Sequence, residues 1–360
     1  MRRFLLAALM LGPTWAVAAD AQRRTVFAYL HPNRTANADG LTSLAANANV
    51  LTHVSPCWLI VEDAKGALVA EVDPALVAFC RESGLLLVPR LEQKNFSRAL
   101  VHAFLRDPKA RARLVGQLVP WLLATGCHGV NLDFEYVPAA DRNRLTNFVR
   151  ELSAALRPHG LLLTMAVPAK MQENVKSSWS GAFDYAALGR ACDLIILMAY
   201  DEHYGGGPAG PVASLPFVER VLSYATKTIT RNKVLLGMPF YARDWPADGK
   251  GKARTARDAL ALAEISGAEV KWDERARSPW FQYLENGVTR TVWFEDFRSI
   301  AAKVLAADRT RIGGLSIWRL GNEDPAFWLP IAQYREGAGL KGLLAAFQTA
   351  LRNLPKSAKK

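Results

Sequence analysis

Asn131, Asp133 and Glu135 alternate along the stretch Gly129-Val130-Asn131-Leu132-Asp133-Phe134-Glu135-Tyr136. Side chains two residues apart on a strand share a face, so these three polar groups lie together, opposite Val130, Leu132 and Phe134. Two carboxylates on an inward face are costly to bury without a task. Placed this close they repel, and the less solvated one holds its proton more strongly. One then stays ionised while the other serves as a general acid. Glu135 stands at the carboxyl end of the stretch, and proton donation to a departing oxygen is what glycoside cleavage requires. From the residues alone, the expectation is a hydrolase with Glu135 as its acid; the alternative is a structural ion pair.

Such a strand needs a scaffold. Eight short β-branched and Leu-rich runs occur at 25–30, 51–61, 85–91, 129–136, 161–168, 194–200, 233–241 and 313–318. Helical stretches lie between them. Asp73-Pro74 opens one that stops before Gly84, Asp107-Pro108 opens another that ends near Gly126, and 141–157 is closed by Pro158 and Gly160. Apolar strands joined by helices form a parallel sheet covered on both faces. Eight units over this length predict an α/β fold, a (β/α)8 TIM barrel whose strand ends carry the active site. An open doubly wound sheet is the rival. The seventh unit is too long, and about 246–294 reads as a small α+β insertion between strand 7 and helix 7. A helix at 255–265 and short strands at 269–272, 280–284 and 288–294 would form one wall of a cleft.

The 360 residues are 50% hydrophobic and 22% charged, which excludes disordered and collagen-like chains. Residues 1–19 read as a signal peptide, with Arg2 and Arg3, an apolar run at 4–11 and small residues at 16–19. The mature chain, 20–336 plus a tail, is therefore expected outside the cytoplasm, periplasmic or secreted, and intracellular nucleic acid is no partner. Loss of Arg2 and Arg3 lowers the formal charge from +12 to +10, which suits an anionic polymer. The tail, 337–360, has five basic and no acidic residues, with Leu340, Leu343, Leu344, Phe347, Leu351 and Leu354 at helical spacing. It reads as a packed amphipathic helix or as an electrostatic contact with the cell envelope. Cys57, Cys80, Cys127 and Cys192 form no CxxC pair, and the six histidines form no HExxH, so neither a metal site nor a cofactor is expected. The chain is expected to act as a monomer.

The segment 128–136, His-Gly-Val-Asn-Leu-Asp-Phe-Glu-Tyr, resembles the active-site strand of glycoside hydrolase family 18, whose pattern is Asp-Gly-x-Asp-x-Asp-x-Glu. Leu197-Met198-Ala199-Tyr200-Asp201 resembles the family's Met-x-Tyr-Asp strand end. Residues 237–243 and 314–318 resemble its seventh and eighth strands. Segments 129–138, 183–189, 198–213, 292–303 and 318–328 are most similar to the branch that includes spore-cortex-lytic, peptidoglycan-cleaving N-acetylglucosaminidases. His128 and Asn131 depart from the general pattern. His128 reads as a packing or hydrogen-bonding substitute, and Asn131 removes one charge beside Asp133, leaving it freer to stay ionised.

The resemblance implies an exported glycosidase acting on β-1,4 bonds next to N-acetylglucosamine by a substrate-assisted retaining mechanism. Glu135 would be acid and then base. Asp133 would orient the acetamido group, and Tyr200 would bond its carbonyl. Asn131, Met198, Asp201, Tyr241 and Trp318 would contact the sugar, with Trp318 as its apolar floor. Peptidoglycan is the first expected polymer; chitin or an exopolysaccharide, or a non-catalytic lectin on the same barrel, are the alternatives. His203 and the Gly205-Gly206-Gly207 loop are left as substrate contact or ordinary loop.

Overall fold

The computed structural model describes residues 24–31 and 34–337, with Gly342 and Ala345 beyond them. The leader expected at 1–19 and nearly all of the 337–360 tail lie outside the described residues.

The first strand, Thr25–Leu30, pairs in parallel with the second, His53–Pro56, and with the eighth, Gly314–Trp318. The third strand is in two pieces, Leu86–Leu87 and Arg90–Gln93, because Pro89 supplies no N–H to the ladder. Leu86–Leu87 pairs with the second strand and Arg90–Gln93 with the fourth, Gly129–Leu132. Hydrogen bonds from Val88 N to Val54 O (2.9 Å), His128 N to Leu87 O (2.7 Å) and Asn131 N to Pro89 O (2.9 Å) carry the pairing across the break. The fifth (Leu162–Pro168), sixth (Leu194–Met198) and seventh (Val234–Pro239) strands follow, and the seventh pairs with the eighth. The ring is closed, so the fold is the (β/α)8 barrel and not the open sheet.

Alternation along the strands sorts side chains between two cores. Val26, Ala28, Val54, Val130 and Leu132 face the helices, while Phe27, Tyr29, Val88, Ile196 and Leu235 fill the lumen. The helices start and stop where their caps allow. Asp73 accepts from Ala75 N and Leu76 N ahead of Pro74–Glu82, and Asp107 accepts from Lys109 N ahead of Pro108–Thr125. Gly126, at φ 70°, ends the latter in the left-handed conformation.

Three runs divide more finely than their composition suggests. Leu59–Val61 leaves the second strand to make an antiparallel hairpin with Leu68–Ala70. The fourth strand stops at Leu132, three residues before Glu135. The insertion starts earlier than residue 246: Tyr241–Pro246, part of it read as barrel strand, is already a strand of a second sheet. That sheet is antiparallel, in the order Lys252–Thr255, Tyr241–Pro246, Val288–Trp293, Ser278–Glu285, Lys271–Asp273. Helix Ala256–Ser266 packs on it through Ala259 and Ala263, against Ala242, Phe281, Tyr283, Val292 and Phe294. Asp244, fully buried between the strands, accepts from Arg254 Nε (2.6 Å), Arg290 Nε (2.8 Å) and the Tyr283 hydroxyl (2.9 Å). The insertion also meets the barrel, through Leu215 N to Ala276 O (2.8 Å) and Gly251 N to Gly205 O (2.7 Å).

Candidate active site

The fourth strand aims its acids by running out of ladder. Asp133 N makes the last regular bond, to Leu91 O at 2.9 Å. Beyond it the buried Gln93 side chain substitutes for a strand. Its Nε2 donates to Glu135 O at 2.6 Å, and its Oε1 accepts from Glu135 N at 3.3 Å. Tyr136 then turns the chain aside at φ 54°. The peptide carrying Glu135 is held from both sides although it belongs to no strand.

Asp133 is buried, and Arg90 Nη1 lies 3.1 Å from its Oδ2. Arg90 also pairs with Glu92 and lies between the rings of Trp318 (5.2 Å) and Phe96 (5.6 Å). Burial pushes the Asp133 carboxyl up, and Arg90 opposes that push. Asp133 Oδ1 is buried with no hydrogen-bond partner among the described residues. Glu135 forms no ion pair among the described residues, and its pKa is pushed up to about 8 by burial first, then by the charge of Asp133. Only one member of the pair contacts a cation, so the proton belongs on Glu135. The expectation that Asp133 stays ionised therefore needs Arg90 as well as the uncharged Asn131.

Asn131 requires a correction. It does not line the cleft: it is fully buried beneath it, accepting from the Tyr29 hydroxyl at 2.9 Å and donating to Thr164 Oγ1 at 2.8 Å. An inward residue four positions before Glu135 lies under the floor, so Asn131 ties three strands together instead of lining the cleft.

The remaining expected residues meet at one cleft of about 1160 Å³, lined by Asp133, Glu135, Met198, Tyr200, Asp201, Tyr241 and Trp318 among others. The Tyr200 phenol is pushed well above its usual range by burial and by the nearby carboxyls of Asp133, Glu135 and Asp201, so it stays a neutral donor. Gly237 makes room for it: a Cβ there would stand 2.3 Å from Leu197 O and 3.2 Å from the Tyr200 ring. Asp201, at φ 56°, is held by the Tyr241 hydroxyl (2.7 Å) and by the fork of Arg243, Nε to Oδ1 at 2.8 Å and Nη2 to Oδ2 at 2.7 Å. Trp318 meets Tyr29 edge-on at 5.1 Å at the bottom of the cleft. Tyr136 and Trp179, both exposed and 5.1 Å apart, stand on the fourth- and fifth-strand side.

His203 is a loop residue outside the cleft lining; its Nδ1 pairs with Pro208 O at 3.0 Å. His128 Nδ1 accepts from Leu87 N at 3.0 Å, the hydrogen-bonding substitute expected of it. The four cysteines are free thiols. Sequence reasoning missed Arg90, Gln93, Tyr29 and Arg243. The alternation Arg90-Leu91-Glu92-Gln93 was the available signal for the first two: a polar run inside an otherwise apolar strand.

Comparison with known proteins agrees with this geometry. Residues 92–323 match the model of the glycosyl hydrolases family 18. The putative sporulation-specific glycosylase YdhD of Bacillus subtilis is 33% identical over 67% of this chain, a match that spans 58% of its own length. The cortical fragment-lytic enzyme of the same organism is 29% identical over 84% of this chain and 72% of its own. The crystal structure of a chitinase from Chromobacterium violaceum superposes with a TM-score of 0.80 at 30% identity, covering 88% of this chain and 99% of that one. With a family match over more than half its length, a closed barrel and a carboxyl pair at the end of the fourth strand, this chain belongs to glycosyl hydrolase family 18 and is a glycosidase.

Proposed function

We propose that the chain is an exported enzyme that cleaves β-1,4 bonds next to N-acetylglucosamine in peptidoglycan, by a substrate-assisted retaining mechanism. The observation that carries the mechanism is the unequal carboxyl pair: a Glu135 that holds its proton up to about pH 8, beside an Asp133 that Arg90 grips by one oxygen only. Asp201, the other carboxylate near the pair, is engaged by Arg243 and Tyr241, so a nucleophile from the substrate itself fits better than an enzyme carboxylate.

In this reading the acetamido oxygen of the bound sugar attacks the anomeric carbon. The bond to the departing oxygen breaks as that oxygen takes the Glu135 proton. The free Asp133 Oδ1 accepts the acetamido N–H and stabilises the positive charge of the oxazolinium ion, while Tyr200 donates to the acetamido oxygen's other lone pair. Glu135, now ionised, takes a proton from water, whose oxygen attacks the anomeric carbon and reopens the ring. Two inversions leave the configuration retained. Met198 and Trp318 supply the apolar wall and floor.

Peptidoglycan is favoured over chitin by the relatives whose names concern sporulation and cortical fragments, and by the formal charge of +10 left once Arg2 and Arg3 go with the leader. The test is mass spectrometry of soluble fragments released from purified peptidoglycan by the wild type and by Glu135→Gln. Fragments ending in reducing N-acetylglucosamine, absent in the variant, support the reading. Cleavage of chito-oligosaccharides alone moves the substrate to chitin, and binding without cleavage of either identifies a lectin.

A further inference from the structure

Arg319 follows Trp318 at the end of the eighth strand and lines the cleft with it and with His31. Three other arginines of the cleft wall are committed to acids of the protein: Arg90 to Asp133 and Glu92, Arg243 to Asp201, and Arg254 to Asp244. Arg319 is half-buried and forms no ion pair with any described carboxylate. The remaining cleft arginine, Arg98, is exposed at the rim. The charge environment agrees with the geometry. Burial acts to lower the pKa of all four; nearby acidic groups outweigh it for Arg90, Arg243 and Arg254, whose pKa is raised, whereas for Arg319 burial prevails and the pKa is lowered.

A guanidinium that is partly desolvated and not compensated is unfavourable in the empty cleft. Its planar fork is suited to take a carboxylate by two parallel bonds. A neutral polysaccharide offers no such group. In the glycosidase reading Trp318 is the floor beneath the reacting sugar, and Arg319, one residue on, lines the same cleft. We propose that Arg319 receives a carboxylate carried by the sugar next to the one that is cleaved, so that the cleft selects an acidic N-acetylglucosamine-containing glycan over a neutral one. The proposal rests on the glycosidase reading above and names the chemistry that would distinguish its polymer.

The experiment compares glycan strands whose alternate sugars bear free carboxylates with the same strands converted to methylamides. For the wild type, kcat/KM is expected to be at least tenfold higher on the charged strands. Arg319→Gln is expected to reduce that preference roughly 10- to 100-fold, as for loss of a charge-assisted pair, with Arg319→Lys intermediate. Equal rates of the wild type on both strands, or equal losses in Arg319→Gln on both, would overturn the proposal. Affinity of Glu135→Gln for the two strands is measured alongside. If no strand is cleaved, the glycosidase reading fails, yet a binding preference that vanishes in Glu135→Gln/Arg319→Gln upholds the carboxylate receptor. No binding preference removes it.

Discussion

Arg90 forms an ion pair with Asp133 and none with Glu135, and that asymmetry favours the proton on Glu135. Activity should therefore fall as pH rises through about 8, where Glu135 loses the proton it must donate; a rate that stays level to pH 10 would remove Glu135 from that role. Asp133→Asn removes a charge that raises Glu135, so the alkaline limb of the profile should move to lower pH while the rate drops on the order of 10²–10³-fold. The same shift has a consequence for stability. Below the unfolded-state value both states carry the proton. Between that value and about 8 the unfolded chain ionises and the native one does not, so stability falls as pH rises. Glu135→Gln should thus raise the melting temperature more at pH 9 than at pH 5, which calorimetry can read directly.

At the scale of elements, the acid-bearing peptide is positioned by a side chain and not by a strand. Gln93 reproduces, with one amide, the N–H and C=O that a neighbouring strand would have offered Glu135. Gln93→Met should leave both backbone groups without a partner, costing about 1–3 kcal/mol. It should lower kcat more than it raises KM; a normal kcat would show that the peptide holds its place unaided. The sixth and seventh strands meet with equal closeness at Gly237. Gly237→Ala would drive a methyl against Leu197 O, and the expected result is poor folding or a displaced Tyr200, seen as loss of activity with lowered melting temperature.

For the whole molecule, one side of the cleft depends on whether the insertion keeps its shape. Asp244 gathers Arg254, Arg290 and Tyr283 at its centre, and these donors hold its carboxyl below the usual range despite burial. Asp244→Ala would leave the cations facing one another, a loss on the order of 3 kcal/mol that should appear as earlier unfolding of the insertion in hydrogen exchange. For the basic tail at 337–360 we propose a different property, attachment to an anionic envelope. Its deletion should reduce cosedimentation with cell walls while sparing turnover of soluble fragments; unchanged sedimentation would leave the tail no such role.

Local pattern was enough for much of this. The period-2 alternation of Asn131, Asp133 and Glu135, the eight apolar runs and the Asp-Pro helix starts each depend on neighbours a few residues apart, and they carried the barrel and the carboxyl pair in its cleft. What they could not carry is pairing across distance. Arg90 meets Asp133 from 43 positions away in sequence, Gln93 meets Glu135 from 42. Asn131 shares its face with both acids yet lies beneath the cleft, since depth along a strand is measured only once the strands are staggered in the ring. The alternation set the direction of each side chain, and the closing of the barrel decided what each one meets there.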